Sequence, residues 1–152
     1  MGFRKKLDIF LERTLAIIFA VMVITVLWQV FSRYVLGNPS SFTDELTRYL
    51  LVWLGILGAA YVSGRSKHVA IDILPARCDK KMQKNMRLTV HILVILFCLL
   101  ALVIGGARLV YLTFVLEQYS PSLRLPLALV YAVLPLSGSL IIYYKISDIF
   151  QN

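Results

Sequence analysis

From Leu88 to Leu116 the chain runs for 29 residues with a single charge, Arg108, and no other stretch restricts the fold so strongly. A soluble helix rarely stays apolar for that long, whereas about 20 apolar residues suffice for a helix to cross the roughly 30 Å hydrocarbon layer of a bilayer. At 1.5 Å per residue the whole run would reach about 43 Å, so it must tilt or project beyond the membrane. Three more apolar runs, Thr14 to Val35, Phe42 to Val62 and Pro126 to Tyr144, repeat the theme. With 59% apolar residues and a mean hydropathy of +0.78 over 152 residues, the chain exceeds the roughly one-half apolar content of soluble domains. The predicted fold class is all-α integral membrane. Its single domain, residues 1–152, carries four transmembrane helices over about 14–35, 42–62, 88–108 with extension to 116, and 126–144.

Arg4, Lys5 and Lys6 precede the first run, as in a signal peptide, but the run is longer than an ordinary signal core and no small-x-small cleavage site follows it. It is read as a retained span, with Met1 to Arg13 as a short amphipathic lead-in. Gln29 lies in its outer half, and an amide there needs a partner helix or a headgroup. Gly37, Asn38 and Pro39 then end the helix.

The second span has the richest local pattern. Ser41 is placed to cap it, with Asp44 in the first turn, where the helix dipole favours an acid. Asp44, Glu45 and Arg48 fall on one side of the helix. Gly55, Ala59 and Ser63 recur every four residues, with Gly58 beside them. Such a stripe lets another helix approach closely in lipid, although glycine and alanine are common in membrane helices generally.

Between the second and third spans lies the most basic segment: Arg65, Lys67, Arg77, Lys80, Lys81, Lys84 and Arg87. Leu74, Cys78, Met82 and Met86 recur every four residues, with lysines between them and Pro75 suited to a first turn. The pattern predicts an amphipathic surface helix in which Lys80, Lys81, Lys84 and Arg87 meet lipid headgroups. Twelve Lys and Arg residues fall on the side of the termini and this loop, and four on the other, so the positive-inside rule puts both termini in the cytoplasm. The net charge of +8 is explained by this flanking pattern, which argues against nucleic acid as a partner. Arg108 is expected near the far interface, snorkelling to the surface. Pro135 should free a carbonyl and kink the last span.

Chemistry is hard to find. His68 and His91 are too few and too badly placed for the paired axial ligands of a membrane haem. Cys78 and Cys98 do not form a disulfide framework. No catalytic, cofactor or metal motif is present, and no acid lies mid-span as a self-sufficient exporter would need, since Glu12 precedes the first span.

The assembled residues resemble a known family. W-Q-V-F-S-R-Y-V-L from Trp28, D-E-L-T-R-Y-L-L-V-W-L-G-I-L-G-A-A-Y from Asp44, K-H-V-A-I-D-I-L from Lys67 and L-P-L-A-L-V-Y-A-V-L-P-L from Leu125 are similar to the small membrane subunit of tripartite ATP-independent periplasmic (TRAP) transporters. The resemblance implies a bacterial inner-membrane accessory subunit, not an enzyme. Its implied partners are a large membrane subunit and a periplasmic substrate-binding protein. The system would take up an organic acid such as a C4-dicarboxylate, a sialic acid or another sugar acid, with sodium coupling in the large subunit. Glu45 and Arg48 match the family's acidic-then-arginine pattern and are expected to pair with Arg33 or with the partner. Gln29, Arg33, Glu45, Arg48, Gly55, Gly58 and Ala59 are the candidate subunit contacts. Trp28, Tyr34, Tyr49 and Trp53 are read as interface-belt aromatics. The alternative is a membrane anchor subunit of a respiratory enzyme.

Overall fold

A computed structural model describes residues 3–38, 40–65 and 80–150. Helix α1 spans Phe3–Tyr34 and α2 Ser41–Arg65. A third rod is built of α3 (Lys80–Phe97), a π-helical segment Cys98–Gly105, and α4 (Gly106–Val115). The last rod is α5 (Leu127–Tyr131) followed by α6 (Val133–Phe150). Four of these units are long and apolar enough to cross a membrane: Arg4–Tyr34, Ser41–Arg65, Leu88–Val115 and Leu127–Ile149. The chain is thus a multi-pass, all-helical membrane protein.

The α1–α2 turn passes through Gly37 at φ +66°, a left-handed conformation that glycine adopts without steric cost. Helix α2 begins at Ser41 itself, so Ser41 lies inside the first turn and the Ser40 carbonyl accepts the Asp44 amide (3.3 Å). The last rod breaks at Ala132, between α5 and α6 and one turn before Pro135, as the missing proline N–H requires. The third rod stays helical to Val115, so the long apolar run is one unit that outgrows a single bilayer crossing.

Burial is uneven. In the last rod 39% of the apolar window is buried, against 6% in the first and third spans, because α6 packs between α2 and the third rod while α1 packs along α2. One core cluster joins Leu11, Leu57, Val133 and Tyr144, and a second joins Ala60, Cys98 and Ile141. Helix α1 enters only the first and the third rod only the second; α2 and α6 connect them. Three glycines let backbones meet. A Cβ on Gly64 would lie 2.8 Å from the Tyr144 ring, one on Gly106 2.8 Å from Leu134 Cβ, and one on Gly138 2.7 Å from Leu102 Cβ. The apolar surfaces left exposed, including Ile17, Ile24, Leu27, Leu93, Leu96 and Phe97, suit a solvent of lipid chains.

The first residues are no separate lead-in. They continue α1 and dock at the end where both termini lie, with Leu11 only 3% exposed. Arg4 binds Asp148 (2.9 Å) and donates to the Gly64 carbonyl (2.9 Å), while its guanidinium lies 5.4 Å from the centre of the Tyr144 ring. The Tyr144 hydroxyl donates to Asp8 (2.6 Å). Arg65 and the Tyr61 hydroxyl both reach Glu12, at 2.9 and 3.1 Å. Arg4, Asp8 and Glu12, spaced one turn apart, thereby tie α1 to both α2 and α6.

Of the predicted surface helix, residues 74–79 lie outside the described set, as do His68 and Cys78, and residues 80–87 form the start of α3. Lys80, Lys81, Lys84 and Arg87 lie on the helical backbone of α3, which continues unbroken into the third span, but their side chains are outside the described set.

Candidate subunit interface

The end opposite the termini gathers four of the seven candidate contact residues. Gln29 near the end of α1 and Glu45 and Arg48 at the start of α2 share a cleft of about 390 Å³ with Arg33, Asp44, Ser40, Ser41, Pro121 and Ser122. Within it Asp44 is the hub: Gln29 Nε2 donates to one carboxylate oxygen (2.7 Å) and Arg48 pairs with the other (2.7 Å). Below them the Thr47 hydroxyl meets that of Thr25 (3.2 Å), so the α1–α2 hairpin carries a short polar ladder. The amide of Gln29 finds its partner within the chain.

Glu45 turns elsewhere. Its Oε2 accepts the backbone amides of Ser122 (2.9 Å) and Leu123 (3.1 Å), and its Oε1 accepts the Tyr49 hydroxyl (2.7 Å). The connector it holds is tight: Ser120 and Leu125 are paired through Ser120 N–H (2.9 Å), and Glu117 and Arg124 take φ of 48° and 52°. Left-handed backbone at non-glycine residues costs on the order of 1 kcal/mol or more and persists where surrounding contacts enforce it. A carboxylate accepting two consecutive amides is such a contact. The expected pairing of Glu45 and Arg48 with Arg33 is therefore corrected: Glu45 is taken by the loop amides and Arg48 by Asp44. Arg33 is exposed, and among the described residues it has no ion-pair partner.

The small-residue face of α2 is open. A Cβ built on Gly55 or Gly58 would meet nothing within 4 Å, and Ala59 is exposed. The opposite face carries Leu57, Ala60 and Gly64, all buried in the chain's own core. Ser63, the last of the predicted stripe, is partly turned inward, its hydroxyl buried with no hydrogen-bond partner among the described residues. Periodicity could not say which glycines the chain itself consumes, because that depends on which neighbour lies across from them.

Two aromatics are also reassigned. The Trp53 indole donates to the Val130 carbonyl (3.1 Å), next to the break that Pro135 imposes, so it fastens α2 to the last rod. Tyr49 supports Glu45. Trp28 and Tyr34, 52% and 79% exposed, stay on the surface as belt aromatics should. Arg108 is exposed, as expected. The loop residues Ser122 and Leu123 carried no signal in the sequence, since they act through backbone groups, while the buried Ser120 hydroxyl accepts the Leu123 amide (3.2 Å). Among the described residues no group of His, Cys, Asp or Glu could hold a metal ion.

The chain thus combines a polar cleft at one end, an open glycine face on α2 and apolar span centres. Comparison with known proteins decides its family: residues 22–152 match tripartite ATP-independent periplasmic transporters, DctQ component. The chain belongs to that family. It is 28% identical over 124 residues to a Haemophilus influenzae protein described as a TRAP transporter small permease, covering 82% of this chain and 75% of that one. It is 33% identical over 112 residues to the C4-dicarboxylate TRAP transporter small permease protein DctQ of Rhodobacter capsulatus, covering 67% of this chain and 44% of that one. A 109-residue stretch is 31% identical to the sialic acid TRAP transporter permease protein SiaT of another Haemophilus influenzae strain, covering 71% of this chain but 17% of that one. The chain thus spans less than half of two of the three relatives.

Proposed function

We propose that this DctQ-family chain is the small accessory subunit of a TRAP transporter and braces a large permease subunit without providing a path for solute. The observation that carries the reading is the face of α2 bearing Gly55, Gly58 and Ala59. The chain spends Gly64, Gly106 and Gly138 on its own packing and leaves these three uncovered. In lipid, close helix association depends on small residues that let backbones approach, and the uncovered face fits a helix of the large subunit. The relative in which a similar stretch makes up 17% of one permease protein supports a partner of that kind.

The system takes up an organic acid by sodium symport, with the sodium sites in the large subunit and the cargo delivered by a periplasmic binding protein. Relatives named for sialic acid and for C4-dicarboxylate support the acid class, since both cargoes are carboxylates. The chain sits in the bacterial inner membrane with both termini in the cytoplasm, and the cleft of Arg33 and Glu45 faces the periplasm. A reporter fused after Lys81 is expected to be active on the cytoplasmic side only. A periplasmic signal would reverse the topology.

Replacing Gly58 with leucine tests the interface. The variant should insert normally yet lose most of its co-purification with the large subunit. An unchanged yield of complex would remove this face from the interface.

A further inference from the structure

We propose that the outward face of the first three turns of α1, formed by Lys5, Lys6 and Arg13 with Ile9 and Phe10, is a fixed contact site for anionic phospholipid headgroups. At about 100° per residue, Arg4, Asp8 and Glu12 fall along one side of the helix, and Lys5, Lys6, Ile9, Phe10 and Arg13 share an arc of roughly 140° on the other. The structure separates the two sides by what they touch. Arg4 pairs with Asp148, Asp8 accepts the Tyr144 hydroxyl and Glu12 pairs with Arg65. Lys5, Lys6 and Arg13 are exposed, and among the described residues none has an ion-pair or hydrogen-bond partner.

The consequence is a segregation of charge that the sequence of the segment conceals. Asp8 is turned toward Tyr144 and Glu12 toward Arg65 at an exposed rim, so the outward face itself carries no acid. Phe10, 65% exposed, and Ile9, 39% exposed, lie between the cations, just before the uncharged run that begins at Thr14. Cations beside apolar side chains at that depth suit a lipid phosphate above and the upper acyl chain below. The face is also held in place, because Arg4 and Leu11 pin the same turns to α2 and α6. It lies before residue 22, where the family match begins, and is separate from the basic loop of Lys80, Lys81 and Lys84.

The test is native mass spectrometry of the full-length chain in detergent, titrated with phosphatidylglycerol or with phosphatidylcholine. The unmodified chain should prefer phosphatidylglycerol. The triple variant Lys5→Gln, Lys6→Gln, Arg13→Gln should lose roughly a hundredfold in phosphatidylglycerol affinity at low salt, and Arg13→Gln alone roughly fivefold, with phosphatidylcholine binding unchanged. The variant Lys80→Gln, Lys81→Gln, Lys84→Gln removes as many charges from the start of α3 and should lower phosphatidylglycerol affinity clearly less than the α1 triple variant does. Circular dichroism and melting temperature of the α1 variants should match the unmodified chain, since the three side chains are exposed. The proposal is overturned if the α1 variants keep their phosphatidylglycerol affinity, if the α3 variant loses as much as the α1 triple variant, or if the unmodified chain shows no preference.

Discussion

Glu45 shows how far a side chain's chemistry constrains its role and where the constraint stops. Its place at the start of α2, on one side of the helix with Asp44 and Arg48, is plain from helical spacing, but that Asp44 takes Arg48 is seen only in the structure. Beside the Tyr49 hydroxyl, its partners are main-chain amides some 77 positions away, and backbone donors leave no trace in residue identity. Replacing Glu45 with alanine should release the Ser122 and Leu123 amides, and hydrogen exchange of the peptide covering 117–126 should speed up at least several-fold. The Gln29–Asp44 contact should persist, leaving exchange in the last turns of α1 as it was. Unchanged exchange in the loop would mean that Ser120 and Leu125 hold the turn without the carboxylate. Trp53 carries the same lesson: its hydropathy and position fit a belt residue, but its N–H serves a carbonyl of the last rod.

At the scale of the helices, hydropathy was enough to find all four spans, because lipid imposes a length and an apolarity that few other environments demand. It could not rank them by burial, since a lipid-facing leucine and a core leucine look alike in sequence. Nor could it see the π-helical turn Cys98–Gly105, whose residues are as apolar as their α-helical neighbours. That segment lies against Gly138, so the close contact of the third rod with α6 depends on a residue without a side chain. Two substitutions separate the two kinds of glycine. Gly138→Ala drives a Cβ to within 2.7 Å of Leu102 Cβ, and the repacking should lower the stability of the isolated chain by about 1–3 kcal/mol. Gly58→Ala enters open space and should change it by no more than about 0.5 kcal/mol. Steric-trap unfolding of the two variants in bicelles gives both numbers, and a loss at Gly58 as large as that at Gly138 would mean that the α2 face is not open.

For the molecule as a whole, the two core clusters meet only through α2 and α6; α1 packs along α2, and few groups fasten it to α6. Leu11 supplies apolar contact, and the cluster of Arg4, Asp148, Tyr144 and Asp8 supplies the polar fastening at the end that holds both termini. The ion pair is sheltered, with Arg4 and Asp148 side chains 16% and 9% exposed. Breaking a buried pair by removing one partner costs about 3–5 kcal/mol, because the remaining charge is left without compensation. Here the partial exposure of Arg4 should reduce that, so Arg4→Gln is expected to cost about 2 kcal/mol. Asp148→Asn should cost a similar amount, and the double variant less than the sum, with a coupling of about 1 kcal/mol. The same cycle gives a structural readout, since freeing the start of α1 should expose the 3–13 segment to protease while the α2–α6 contact at Gly64 and Tyr144 remains. Additive losses with a protected segment would show that Leu11 and its apolar neighbours hold α1 unaided, and that the charged cluster only decorates a joint already made.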